Sequence, residues 1–575
     1  MIKLSLIEKF VFPKIIHFYY RIFLIVINGL LELIGISLLI LFIKIISSQD
    51  QDIEFFVFTF KSNEFSNIST ICLLVILFYG IKNLFNFWLV TSQQKILNKA
   101  QLDLSKKIYY GYINSSLNKI LNINSKKIIQ DINIETEKLF YEYFQSFFTL
   151  ITEVIIIFVI LLFFLYNEPL ISVYLVVLSI VIYIFASKIF FKKSSIMGHD
   201  RIEGFEKLSN IVNASIGLFK ELKVMKKVSV FSKLFDKNLN SYVKSKYFDN
   251  VTSELPKIFI ELIVVTLIVS IVFILVFIND KSVNLLPTLS MFAIGSIRIM
   301  PSINRVAVAN HNMKFYGETI SQLLFDIEYF EYTKDKKLFH KKNSVKKNIY
   351  FKDVTYSIDG KKIIDNLNLK IAYGEKILVV GKSGSGKTTF LKIIAGLVPI
   401  SSGTIYSASN KNYNYLRFNE PISFLSQENF IVDKKSIFYN ICLKDKQNAS
   451  KDDYLRFNQV IELANLTEIL KKFNLREDTV LNENASNISG GEKQRICIAR
   501  SFFNKNKLVI LDEPFSSIDR QNSDEIFKKI HLEIKDNTLI LSNHKSMDLN
   551  YFDKVIFFEK NKCIRIKTLK TSKIK

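Results

Sequence analysis

Hydropathy divides the chain in two. Before residue 305 long apolar runs alternate with polar stretches, and after residue 330 the apolar runs become short and widely spaced. Six runs approach the about 20 residues that a helix needs to cross hydrocarbon. They lie at 22–46, 70–92, 148–166, 169–191, 257–278 and 285–304. Only Asn167-Glu168-Pro169 separates the third from the fourth, which predicts a helical hairpin. The polar stretches 93–147 and 192–250 carry mixed charge and helical periodicity, so the spans are expected to continue as helices beyond the bilayer. The loop 47–69 is aromatic instead, with Ile53, Phe55, Phe56, Phe58, Phe60 and Phe65. It fits either a short amphipathic element in the outer interface or a loop packed on neighbouring helices. Residues 331–348 are polar and read as a linker. Strand-like runs follow at 349–351, 377–380, 422–425, 508–511 and 538–542, with helical segments between them. The expected organisation is a polytopic all-α membrane domain of six spans over residues 1–330, the linker 331–348, and an α/β domain over 349–575.

Charge orients this arrangement. Eight lysines fall between residues 93 and 147, and twelve Lys or Arg between 192 and 250. The intervening loops 47–69 and 279–284 hold one lysine each, Lys61 and Lys281. The positive-inside rule puts the N-terminus and both basic stretches in the cytoplasm, and six crossings return the C-terminal domain there. No small-residue cleavage site follows the first span, which therefore reads as an anchor. The net charge of +24 suggests nucleic acid, but no compact basic-aromatic module is present. Spread lysines suit a surface that faces anionic lipid, so no nucleic-acid partner is expected. Cys72, Cys442, Cys497 and Cys563 are far apart, with neither metal spacing nor a disulfide framework.

The candidate chemistry lies in the C-terminal domain. Gly381-Lys-Ser383-Gly384-Ser385-Gly386-Lys387-Thr388 follows the apolar run 377–380 and precedes the helix-like segment that opens at Thr389. Strand, glycine loop and helix N-terminus together cradle phosphates with backbone N–H groups. Lys387 would neutralise phosphate charge and Thr388 would ligate Mg²⁺, which makes this an ATP site. The run 508–511 ends in Asp512 and Glu513. Asp512 would join the Mg²⁺ shell, and Glu513 would polarise an attacking water. Gln427 and His544 each follow a strand and could reach the γ-phosphate, with Gln427 a further metal ligand. Ser489, Gly490 and Gly491 open a helix and form a second anion site. Asp519 lies seven residues beyond Asp512.

In this order, these elements resemble the ATP-binding cassette (ABC) of exporters, over about residues 345–560. The resemblance implies an exporter-type membrane domain followed by a P-loop ATPase cassette. It further implies that the Ser489 motif acts in trans on ATP held by a partner, so the working unit is expected to be a homodimer, with a heterodimer of two half-transporters as the lesser alternative. Two departures stand out. Ile358 occupies the position where the family stacks adenine on an aromatic, leaving Tyr356, two residues earlier, as the substitute. Asn482-Glu483-Asn484-Ala485, before Ser489, lacks the usual glycine-rich character.

Four cations, Lys82, Lys257, Arg298 and Arg305, fall within or at the cytoplasmic ends of spans. Such charges are costly in hydrocarbon and should face a cavity or a partner. One reading is a basic inner wall for a phosphate or pyrophosphate head group. The other is an ordinary structural role: Lys257 paired with Glu261 one turn away, others neutralised by Glu32 and Glu153 between helices, and Arg305 snorkelling to the cytoplasmic interface. Segments 78–86, 255–261 and 298–305 resemble the spans of bacterial lipid-linked oligosaccharide flippases, where basic residues occupy these four positions. Residues 121–124 and 219–223 are similar to that family's cassette-docking turns. The resemblance implies a multi-pass protein of the bacterial inner membrane that flips an anionic lipid-linked glycan. Export of peptide, toxin or another lipid is the alternative.

Overall fold

The computed structural model describes residues 11–12, 15–47, 53–55, 58–60, 65–121, 125–167, 169, 194–278, 285–331, 347–407, 416, 418, 420–467, 470, 477–482, 485–544, 547–559 and 562–569. They form two compact units. One comprises Met1–Ser115 and Lys119–Lys334, the other Ser116–Asn118 and Asp335–Lys575.

The first unit is helical. Its main helices are α1 (Ile15–Ser47), α2 (Phe65–Ile113), α3 (Gln145–Asn167), α4 (Ser194–Gly217), α5 (Val228–Ile278), α6 (Leu285–Phe315) and α7 (Gly317–Glu331). Among the described residues, three helical stretches are long and apolar enough to cross a membrane: Ile16–Ile43, Ser69–Ile113 and Lys127–Tyr166. The fifth and sixth expected spans fall in α5 and α6. The fourth, 169–191, lies outside the described residues apart from residue 169, as does most of the linker 331–348. Leu73, Ile76, Leu77, Ile81 and Leu84 of α2 are exposed. Such a face is stable only against lipid or another protein.

Two features of this unit depart from regular helix. The aromatic loop contains a short antiparallel ladder, β1 (Ile53–Phe55) with β2 (Phe58–Phe60), in which Ile53 pairs with Phe60. Before α3 the chain runs through two π-helical segments, Gln130–Glu135 and Lys138–Phe144. The first carries Glu135 into the interior. There it accepts hydrogen bonds from Arg201 at 3.0 Å, Thr319 at 3.1 Å and Gln130 at 3.0 Å. These bonds tie α4 and α7 to the extension of α3. Around them Leu97, Leu104, Phe140, Phe144, Phe148 and Phe315 form a buried core.

The second unit is α/β. Its strands are β3 (Ile349–Ile358), β4 (Lys361–Ile371), β5 (Lys376–Gly381), β6 (Ser402–Ser407), β7 (Ser423–Leu425), β8 (Leu508–Asp512), β9 (Thr538–Ser542), β10 (Lys554–Glu559) and β11 (Lys562–Thr568). Among the described residues a six-stranded sheet runs β11-β10-β5-β9-β8-β7, parallel except for the β10–β11 hairpin. A separate antiparallel sheet runs β4-β3-β6. The inner strands β8 and β9 are buried at every position, as the unbroken apolar runs require of a sheet covered on both faces. Its longer helices among the described residues are α8 (Lys387–Ile394), α9 (Lys451–Leu463), α10 (Gly490–Phe503) and α11 (Arg520–Ile534). The C-terminal ends of the parallel strands are where ligands bind in such sheets.

A nucleotide site and a polar membrane cavity

Strand β5 delivers the glycine loop to this edge. Gly384 and Gly386 take positive φ, +76° and +103°, which side chains disfavour. A Cβ on Gly381 would lie 2.4 Å from the Phe558 carbonyl oxygen, so only glycine lets the loop pass β10. Lys387 opens α8. Its Nζ donates to the loop carbonyls of Gly381 at 2.7 Å and Lys382 at 3.1 Å, and lies 3.3 Å from His544 Nε2. Burial lowers the Lys387 pKa, against the opposing pull of Glu513 and Asp512. The Ser385 hydroxyl is buried, at 4% exposure, with no hydrogen-bond partner. An orphaned buried hydroxyl inside a glycine nest is a site prepared for an anion. Thr388 and Thr389 are half-buried in the first turn of α8, while Ser383 and Gly384 are exposed.

Strand β8 brings the carboxylates. Asp512, 2% exposed, accepts from the Ser542 hydroxyl at 2.5 Å. Glu513 then leaves the strand with φ +50°, its N–H held by Ser542 Oγ at 3.0 Å. A non-glycine residue in that region is strained, and such strain marks side chains aimed for a purpose. The Glu513 carboxylate lies 2.6 Å from His544 Nε2 and accepts from Gln427 Nε2 at 3.2 Å. Gln427, Lys387, Glu513 and His544, drawn from four sequence segments, thus meet at one point. The set can bind a phosphate and hold a water against a carboxylate base. Oxygen donors from Thr388, Gln427 and Asp512, one of them a buried carboxylate, fit the hard Mg²⁺ ion.

Other residues hold the site together. Gln494 of α10, buried, donates to the Glu513 carbonyl oxygen and to Ser516 Oγ, both at 3.0 Å, and accepts from Ser517 N–H at 2.7 Å. Ser542 and Gln494 carry no motif signal. Their only trace in the sequence is position, Ser542 closing the strand beside Asp512 and Gln494 one turn into α10.

The remaining sequence candidates fall elsewhere. Ser489 caps α10 in a capping box: its hydroxyl accepts from Glu492 N–H at 3.3 Å, and its own N–H donates to Glu492 Oε2 at 2.7 Å. Gly490 is exposed, and a Cβ on Gly491 would lie 2.9 Å from the Ser517 carbonyl oxygen. Among the described contacts none joins Ser489, Gly490 or Gly491 to residues 381–388. Asp519 caps α11, accepting from Asn522 N–H at 3.0 Å, and these bonds hold its carboxyl below the usual range. Tyr356, the substitute for the adenine aromatic, is 3% exposed and belongs to the buried cluster of the small sheet, which does not favour an adenine contact. Ile358, at the strand end, is 46% exposed.

In the helical unit α1, α2, α3 and α6 enclose a cavity of about 570 Å³. Glu32 is among its lining residues, 3.0 Å from Lys82 and 2.9 Å from Arg298. Glu153 binds Arg305 through two bonds, 2.5 and 3.2 Å long. Lys82 also lies over the Tyr79 ring, 4.4 Å from its centre. Three of the four expected cations therefore line the cavity, but two carboxylates oppose them. Much of the remaining lining is amide and hydroxyl, including Asn28, Asn83, Asn86, Gln93 and Thr152. Lys257 is the exception: it is exposed on α5 and is not part of the lining. No Lys257–Glu261 ion pair occurs among the described contacts. Of the expected docking turns, 219–223 lies in a short exposed helix, Phe219–Val224, and 122–124 lie outside the described residues.

Comparison with known proteins agrees with this division. Residues 18–299 match the ABC transporter transmembrane region family, and residues 364–516 match the ABC transporter family. The lacticin-481/lactococcin-DR transport/processing ATP-binding protein of Lactococcus lactis subsp. lactis is 27% identical over 475 residues, 80% of this chain and 64% of that protein. The chain thus spans somewhat less than two thirds of that relative's length. An ATP-dependent lipid A-core flippase of Polaromonas sp. is 30% identical over 220 residues, 38% of this chain and 36% of the flippase. The phosphonates import ATP-binding protein PhnC of Mesoplasma florum is 33% identical over 215 residues, 34% of this chain and 84% of that protein. A bacterial Atm1-family ABC exporter with ATP bound shares the fold, with a TM-score of 0.73 at 14% identity over 98% of this chain and 96% of the exporter. A glycine loop, a buried carboxylate strand end and a helical membrane unit of exporter fold place this chain in the ABC transporter family.

Proposed function

We propose that this protein is an ATP-driven exporter that moves an amphiphile with a polar, anionic head group, foremost an anionic lipid-linked oligosaccharide, across the bacterial inner membrane. The convergence of Lys387, Gln427, Glu513 and His544 on one point supports the hydrolytic half of the reading. Lys387 and the loop N–H groups would hold the phosphates. Glu513 would accept a proton from the attacking water while His544 and Gln427 orient it. Ser489 and Gly490 are exposed at the start of α10, with Gly491 half-buried behind them, so the motif could reach ATP on a second copy, which favours a homodimer. The basic stretches of the sequence favour cytoplasmic cassettes.

The polar cavity supports the substrate class. Amides and hydroxyls donate and accept hydrogen bonds as sugar hydroxyls do. The three cations exceed the two carboxylates by one, a modest attraction for a phosphate group that a homodimer would double. Export of a peptide is the second reading. It is favoured by the transport/processing protein of Lactococcus and by the fact that the same amides suit a peptide backbone. Liposomes containing the full chain and a fluorescent polyprenyl-pyrophosphate oligosaccharide should transfer label between leaflets only with ATP. Equal transfer by Glu513→Gln would sink the proposal. Stimulation of ATPase by peptides, with none by the glycolipid, would shift it to the second reading.

A further inference from the structure

The helical unit holds a second cavity, of about 510 Å³, between the segment around Phe12, the start of α1 and the middle of α2. Its chemistry is divided. Val11, Phe12, Leu24, Ile96, Ala100 and Leu104 give it an apolar wall. Arg21, Lys99 and Lys107 give it three cations against the single carboxylate of Asp103. Arg21 is buried, at 3% exposure. Its terminal nitrogens are spent on α2, with Ser92 at 2.7 Å, the Leu89 carbonyl at 2.6 Å and Gln93 at 3.0 Å, while Nε has no hydrogen-bond partner. A guanidinium N–H buried without an acceptor costs free energy until an anion supplies one. Trp88 and Tyr20, both largely exposed, stand beside it. Tryptophan and tyrosine favour the level of lipid head groups. The cavity also lies where the first two apolar runs, 22–46 and 70–92, meet their cytoplasmic flanks.

We infer that this groove binds an anionic glycerophospholipid of the inner leaflet, with its phosphate toward Arg21, Lys99 and Lys107 and an acyl chain along the apolar wall. The inference depends on the membrane reading of α1 and α2 and not on the transported substrate. Apolar lining and excess positive charge, side by side at the interface, match the two halves of such a lipid.

Trp88 is the only tryptophan of the chain, so its fluorescence reports on this groove alone. The purified full-length protein, in mixed micelles, would be titrated with phosphatidylglycerol or phosphatidylcholine brominated on the acyl chain. Phosphatidylglycerol is expected to quench Trp88 at a severalfold lower mole fraction. The variant Lys99→Gln/Lys107→Gln, which alters two exposed side chains, should lose most of that preference. Equal quenching by the two lipids in the unaltered protein would overturn the inference. So would a preference that survives the double substitution, or displacement of the brominated lipid by millimolar inorganic phosphate. None of these outcomes depends on transport, so failure here is distinguishable from failure of the proposed function.

Discussion

Glu32→Gln is the sharpest test of how the membrane cavity is held together. One buried carboxylate serves two cations from different helices, Lys82 of α2 and Arg298 of α6. The Lys82 and Glu32 side chains are 8% and 9% exposed, so their pair has almost no water to fall back on. Arg298 is 27% exposed and faces the polar cavity, so it keeps part of its hydration when its partner is lost. Breaking a buried pair by neutralising one member costs about 3–5 kcal/mol, because the other charge is stranded. Most of that cost falls on Lys82. Glutamine preserves shape, so no cavity term enters. Lys82→Met alone should cost less, because Glu32 keeps Arg298. The double variant should be less destabilised than the sum of the singles by about 1–3 kcal/mol, the coupling expected of residues in contact. Unfolding of the purified chain in mild detergent, followed by near-ultraviolet circular dichroism, gives all four corners of the cycle. A cost below about 1 kcal/mol for Glu32→Gln, or strict additivity, would refute the claim that this carboxylate is what makes the buried lysine tolerable.

Four further outcomes are expected. Glu513→Gln should lower ATP turnover by about 10²–10⁴-fold while ATP binding, measured with a fluorescent analogue, persists; unchanged turnover would remove Glu513 from the base role. Gly381→Ala forces a Cβ to within 2.4 Å of the Phe558 carbonyl oxygen, and should cost about 1–3 kcal/mol of thermal stability together with nucleotide affinity. Burial pushes the Cys442 thiol up to about 12 and raises Cys497 as well, so neither should react with iodoacetamide at pH 8 until the cassette unfolds; mass spectrometry of a labelling pulse reads this directly. Burial, with Lys376 nearby, lowers the His531 pKa from 6.5, so the folded state binds fewer protons than the unfolded one. Stability is therefore full above that value and declines as pH falls through the lowered one, and His531→Phe should flatten the melting profile below pH 6.5.

The candidate nucleotide site could be proposed from the sequence because its chemistry is local. The glycine loop, the strand ending in Asp512 and Glu513, and the helix-opening Ser489 each compress a backbone shape and a charge into a few residues. The burial of Tyr356 was not legible, because facing depends on strand register against β4, where it pairs with Ile364 in the core of the small sheet. Gln494 and Ser542 went unseen because their partners lie 19 and 30 residues away. The four span cations looked like a basic wall in the sequence, with pairing as the rival reading. Three line one cavity with their carboxylates, and Lys257 stands apart.

Hydropathy and glycine spacing, read along the chain, were enough to predict a helical membrane domain followed by a phosphate-binding α/β cassette. Both signals add up residue by residue and need no knowledge of distant neighbours. The membrane cavity's charge balance needed the folded chain. Glu32 meets Lys82 across 50 positions and Arg298 across 266, and Glu153 meets Arg305 across 152. Electrostatic energy depends on distance and surrounding dielectric, and helix packing sets both, so no local pattern could say which of these charges would be neutralised.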